Sequence, residues 1–245
     1  MRIRSTEHAV LVHDADAVDD APRSGGTAGE ALLAPEDGRL SPLAVAAFDP
    51  DNAIARLARS LRLSISALPL PDEPPIRSVA VLGAGAGLEA SVLAANLAIT
   101  YAQGGTPTVL VDANLEQPSQ HLFFGLHESA GLVAALSGEA DVRTLVQPSP
   151  VADLVVLPGG KSAANAPVLL DGQHFHHGAM RLLESYGMMI VDAGVPFGEP
   201  AAVCEAIDAA VVVVRNNTTS VEEIAHVINR LNDMKTRVVG TIMAT

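Results

Sequence analysis

The chain has little aromatic content, few basic residues and almost no cysteine. Phe, Trp and Tyr make up 3% of 245 residues and Trp is absent, so any core must be built from Val, Leu, Ile and Ala. The single cysteine, Cys204, excludes an internal disulfide, as expected of a reducing compartment. Lys and Arg number 15 against 28 Asp and Glu, a net charge of −13. That balance excludes wide, non-specific contact with nucleic acid or anionic lipid, which depends on cations. No apolar run reaches the ~18 residues that span a bilayer. No signal peptide is read at the N-terminus, so a cytoplasmic location is expected, with membrane association only through a partner. What is present is ample apolar material: 49% hydrophobic against 18% charged, enough for one large domain plus a tail.

Residues 1–45 are acidic and of low complexity, with Asp, Ala, Gly, Pro and Ser in no sustained period. Such a segment cannot offset its ordering entropy and is expected to be a disordered tail. Residues 46–76 form a helix and a proline linker. Ile54, Leu57, Leu61 and Ile65 make an apolar stripe within a helix expected over 49–68, and four prolines between Pro69 and Pro75 end it. Arg56, Arg59 and Arg62 recur every three residues on a neighbouring face, either as a solvated basic face or as an interface for carboxylates of another chain.

Residues 77–245 alternate apolar runs with helical segments. Strands are predicted at 78–82, 108–111, 153–157, 188–192, 209–214 and 238–243. Helices are predicted at about 89–102, 131–136, 141–146, 168–186, 201–206 and 220–235. Unbroken apolar strands are covered on both faces, so the fold class is α/β, a doubly wound, mostly parallel sheet. Ligands of such sheets lie beyond the C-terminal strand ends. The first strand runs into Gly83-Ala84-Gly85-Ala86-Gly87 and a helix start, the local form of a phosphate site. The strands ending at Asp112 and Asp192 would face the same crevice. Paired strand-end carboxylates beside a glycine loop suit Mg²⁺ and phosphoryl chemistry.

The run from Val109 through Asp112, Asn114, Glu116 and Pro118 to Gly125-Leu126 resembles the second Walker motif of bacterial tyrosine kinases. The resemblance continues through Gly131-Leu132, Leu157-Pro158-Gly159-Gly160, Tyr186 to Asp192, and Asp208 to Arg215, over about residues 50–245. It implies a P-loop NTPase fold of the MinD/ParA-like type. It also implies a polysaccharide co-polymerase of the inner membrane as partner, and a role in exopolysaccharide biosynthesis or export.

The departures fall on the chemistry. Anchored on Asn96-Leu97-Ala98, the family's first Walker motif places its phosphate-binding lysine at Ala90 and the glycine before it at Glu89. Gly87 and the Mg²⁺-type hydroxyl of Ser91 remain. Asp112 and Asp192 are kept, but the second Walker aspartate is Asn114 and the family arginine is Glu116. The Glu-x-x-Arg-x-x-Arg assembly motif begins here with Arg56, which puts self-assembly in doubt. The family's tyrosine cluster has no counterpart beyond Tyr101 and Tyr186. The expectation is a degenerate member, a pseudokinase with no cofactor, taking ATP and Mg²⁺ only if the site retains binding. Asp112 and Asp192 would then be vestigial catalytic positions. Two other readings stand. One is a weakly active ATPase or tyrosine kinase that uses Ser91, Asp112 and Asp192 with a lysine from elsewhere, such as Lys161. The other is a Rossmann-type dinucleotide binder, since Gly83-x-Gly85 follows a strand and Asp112 ends the next; there the third fingerprint glycine would be Leu88. His174, His176 and His177 lack a nearby carboxylate or Cys and read as a polar loop or helix start with no metal.

Overall fold

The computed structural model describes residues 38–69, 73–85, 87–127, 129–161, 166–170, 173–194, 201–216 and 219–244. In chain order the elements are α1 (Ala53–Ala67), β1 (Ser78–Gly83), α2 (Glu89–Gln103), β2 (Thr108–Asp112), α3 (Gln120–Phe123) and α4 (Gly131–Leu136). After these come β3 (Gln147–Pro148), β4 (Leu154–Leu157), α5 (Ala166–Leu170), α6 (Gln173–Leu183) and β5 (Met188–Asp192). The chain closes with α7 (Ala201–Glu205), β6 (Ala209–Arg215), α8 (Val221–Asp233) and β7 (Arg237–Ala244).

The strands form one seven-stranded sheet in the order β3-β4-β2-β5-β1-β6-β7, parallel except for the two-residue edge strand β3. Every residue of β1, β2 and β5 is buried, as continuous apolar runs require when helices cover both faces. On one face, α1 and α2 pack over side chains such as Val79, Val81, Leu110 and Ile190. On the other, α4, α6, α7 and α8 pack over Ala80, Val111, Leu157 and Met189. The sheet is thus doubly wound. Strand β5 lies between β1 and β2, whereas the dinucleotide-binding order places the first two strands side by side. The strand order therefore overturns the Rossmann reading.

The N-terminal boundary also needs correction. Residues 1–37 lie outside the described residues, but parts of 38–45, which composition assigns to the tail, pack against the domain. Leu40 and Ala44 are buried, as are Val45–Ala47 of the following 3₁₀ turn. The cause is Asn96 on α2, itself fully buried. Its side chain accepts from the Ala46 N–H at 2.8 Å and donates to the Leu43 carbonyl at 2.8 Å. A local reading of composition cannot see a clamp from 50 residues away.

Helix α1 starts at Asn52, whose side chain accepts from the Ile54 N–H at 2.9 Å. Its buried face is Ala55, Ala58, Leu61 and Ile65, with Ile54 and Leu57 only half-buried. The stripe is rotated because the small alanines let α1 approach α2. Residues 141–146 form only a 3₁₀ turn at Val142–Thr144, and of the long helix expected over 168–186 the described residues give α5 and α6. The short α3 was not anticipated. Val221 opens α8 largely exposed, so the buried side of that helix rests on Val227 and Leu231.

Candidate functional site

The register of the sheet builds the site. Asp112 of β2 pairs with Asp192 of β5, and Val81 near the end of β1 pairs with the same Asp192. The two carboxylates and the glycine loop thereby meet at one end of the sheet, and both carboxylates are fully buried.

Asp112 acts as an acceptor for the chain that follows it. Its Oδ2 accepts from the N–H groups of Ser119 and Gln120, each at 2.9 Å, and its Oδ1 from Asn114 at 3.2 Å. These bonds fix the start of α3 and bring in Gln120, also fully buried. The Gln120 amide donates to Asp192 Oδ2 at 2.7 Å and to the Ser91 carbonyl at 3.0 Å. Asp192 also accepts from the Ser91 hydroxyl and, at 3.2 Å, from the Gly194 N–H. Ser91, Asp112, Gln120 and Asp192 form one buried polar knot. Burial pushes both carboxyls above the ordinary value, and the neighbouring Asp192 raises Asp112 further against the pull of its N–H partners. The oxygen donors suit a hard cation such as Mg²⁺, with Ser91, Asp112 and Asp192 as the residues that would hold it. Two buried atoms at the knot, Ser119 Oγ and Gln120 Oε1, have no hydrogen-bond partner.

The glycine loop is differently disposed. The Gly83 N–H donates to the Gly194 carbonyl at 2.8 Å and the Ala84 N–H to the Val213 carbonyl at 2.7 Å, so neither is free for an anion. Ala90, in the first turn of α2, is buried. Glu89 turns across the loop and pairs with Arg215 from the end of β6. Arg215 Nε donates to Glu89 Oε1 at 3.0 Å, and Nη2 reaches the same oxygen. The pair lies over the bare Cα of Gly87, where any Cβ would collide with both side chains. The remaining cavity, lined by Gly83, Gly85, Gly87, Glu89 and Arg215, is about 10 Å³, room for about one water.

The three arginines of α1 are elsewhere. Arg56 donates to the Asp51 carbonyl at 2.7 Å, and Arg59 donates to the Pro50 carbonyl. Arg62 lies against Gly104 at the C-terminal end of α2, a position that favours a cation. Lys161 is exposed after β4. His174, His176 and His177 sit exposed in the first turn of α6, and no metal-binding group of His, Cys, Asp and Glu occurs among the described residues. Cys204 is fully buried, and burial pushes its thiol up to about 12.

The sequence reading missed Gln120 and the partnership of Arg215. Arg215 could have been suspected from its place at a strand end, but only the order β1-β6 sets it beside the loop. Nothing in the sequence marks Gln120.

A mostly parallel sheet with this strand order, a glycine loop at the end of β1 and two strand-end carboxylates define a P-loop NTPase-type fold. Solved structures share it. The chimerical protein CapA2B2 superposes with a TM-score of 0.74 at 24% identity, covering 84% of this chain and 90% of that one. The kinase domain of *Escherichia coli* tyrosine kinase ETK gives 0.75 at 20% identity over 84% and 80%. The *Pyrococcus furiosus* cell-division ATPase MinD gives 0.61 at 18% identity over 68% and 71%. By sequence, the homologues are bacterial tyrosine-protein kinases. Tyrosine-protein kinase YwqD of *Bacillus subtilis* is 27% identical over 207 residues, 84% of this chain and 86% of YwqD. The putative kinase CapB of *Staphylococcus aureus* is 28% identical over 160 residues, 65% and 69% of the two chains. No family model matches the chain.

Proposed function

We propose that this protein is a pseudokinase: a tyrosine-kinase-like domain that has lost its ATP chemistry. It acts as a cytoplasmic partner of a membrane polysaccharide co-polymerase and supports exopolysaccharide biosynthesis or export. The observation that carries this reading is the Glu89–Arg215 pair seated on Gly87, with buried Ala90 where a phosphate-binding lysine would stand. Both partners are a little over one-third exposed, so the pair alone contributes only about 0.2–1 kcal/mol. Steric closure is therefore the smaller effect. The larger one is charge: the lysine is gone, and Glu89 cancels Arg215, the cation that would otherwise stand beside the phosphates. Mg²⁺–ATP, when bound to such a fold, supplies the transferable phosphoryl group. In this chain Ser91, Asp112 and Asp192 keep the oxygen donors, but no lysine neutralises the phosphates.

Calorimetry with Mg²⁺–ATP is expected to show no saturable binding, and a coupled assay no ADP release. Pull-down from membranes of the native host is expected to recover a two-helix co-polymerase. Deletion should abolish polymer export, whereas Asp112→Ala should leave it intact. The preserved knot of Ser91, Asp112 and Asp192 supports a second reading, a weakly active ATPase or kinase. Saturable ATP binding with steady ADP production, lost in Asp112→Ala, would establish it and overturn the first.

A further inference from the structure

Away from the glycine loop, on the face of the sheet opposite α2, lies a cavity of about 160 Å³. Its floor is Val111, Leu157 and Met189 of three adjacent strands, and α4 and α6 wall it with Leu132, Leu136, Phe175 and Leu182. All seven side chains are buried. The void persists because small residues face it from several sides: Ala135, Ala140, Gly178 and Ala179. An unfilled apolar space forfeits dispersion contacts, which a ligand of matching shape would restore. An apolar cavity of like size stays dry and holds a ring of six carbons.

The mouth is polar and ordered. Asp141 accepts from Arg143 and Arg181, each at 2.9 Å, and His174 and His177 stand at the same opening. The Arg143 guanidinium and backbone N–H, with a smaller pull from Arg181, hold the Asp141 carboxyl at about 2, so it stays ionised. Glu184 lies near Arg143, on that side of the triad. The donors left for a ligand's head group at the mouth are those of Arg181 and the two imidazoles.

We propose that this cavity is a binding site for a short amphiphile, with an alkyl body of about six carbons inside and a carboxylate head at Arg181, His174 and His177. The site is independent of the nucleotide-type site and of its activity.

The test is titration of the full chain with hexanoate, followed by the methyl resonances of Met189, Leu132 and Leu136, with hexylammonium as the charge-reversed probe. Saturable shifts are expected with hexanoate, and about tenfold weaker binding with hexylammonium. Ala179→Leu, which fills the void, should abolish the hexanoate shifts while the far-ultraviolet spectrum is unchanged. Arg181→Ala, an exposed change, should weaken hexanoate and leave hexylammonium no worse. Absence of saturable shifts in the wild-type chain would overturn the site, as would equal affinity for the two probes or retained binding in a folded Ala179→Leu chain.

Discussion

Glu89 and Arg215 meet over Gly87, while Ala90 beside them is buried at the start of α2. A lysine placed at position 90 alone would find Glu89 before it found a phosphate. We therefore expect Ala90→Lys to restore little Mg²⁺–ADP binding. Glu89→Gly with Ala90→Lys should show saturable nucleotide binding by calorimetry, which the wild-type chain is expected to lack. A buried carboxyl pair also makes a pH signature. The folded Asp112 and Asp192 hold protons that the unfolded chain releases above about 3.8. Their contribution to stability is full below 3.8 and is lost as pH rises toward their raised folded values. Asp192→Ala removes the neighbouring charge that raises Asp112, so melting temperatures measured from pH 5 to 8 should decline less steeply in the variant than in the wild type. An equal or steeper decline would contradict the shared burial of the pair.

Helix α2 is buried along nearly its whole length and serves both packing and site. Its first turn carries Glu89, Ala90 and Ser91; its middle carries Asn96, which holds segment 41–47 in place. Gln103 adds a bond to the Ala46 carbonyl at 3.0 Å. Asn96→Ala would strand the Ala46 N–H and the Leu43 carbonyl and leave a small void. A loss of about 2–4 kcal/mol in denaturant unfolding is expected. Amide exchange at Ala46 should accelerate, while exchange in β1 and β5 follows only the change in global stability. Unchanged exchange at Ala46 would mean that the segment is held without Asn96, by its buried alanines and the bonds from Gln103 and to the Phe123 carbonyl.

The molecule as a whole carries −13 and has no helix among its described residues long and apolar enough to cross a membrane. Like charges repel the chain from an anionic surface. In a flotation assay it should stay below phosphatidylserine-containing vesicles and rise with them only when a reconstituted co-polymerase is present. Much of the architecture was legible in the sequence because its signals are local. Unbroken apolar runs such as Met188–Val191 read as covered strands, and the glycines after Leu82 as a turn into a helix. The resemblance then set the register that exposes Ala90 and Glu89. Other features were not legible because they depend on neighbours distant in sequence. The packing of 38–47 needs Asn96, the polar knot needs Gln120 to bridge Ser91 and Asp192, and Arg215 reaches Glu89 only because β6 lies beside β1. The sequence by itself determined the α/β class, the strand-end carboxylates and the glycine loop, since each is a property of residue type and short-range pattern. Only the tertiary structure decided that Glu89 points across the loop onto a cation, because strand order fixes which side chains share a sheet end.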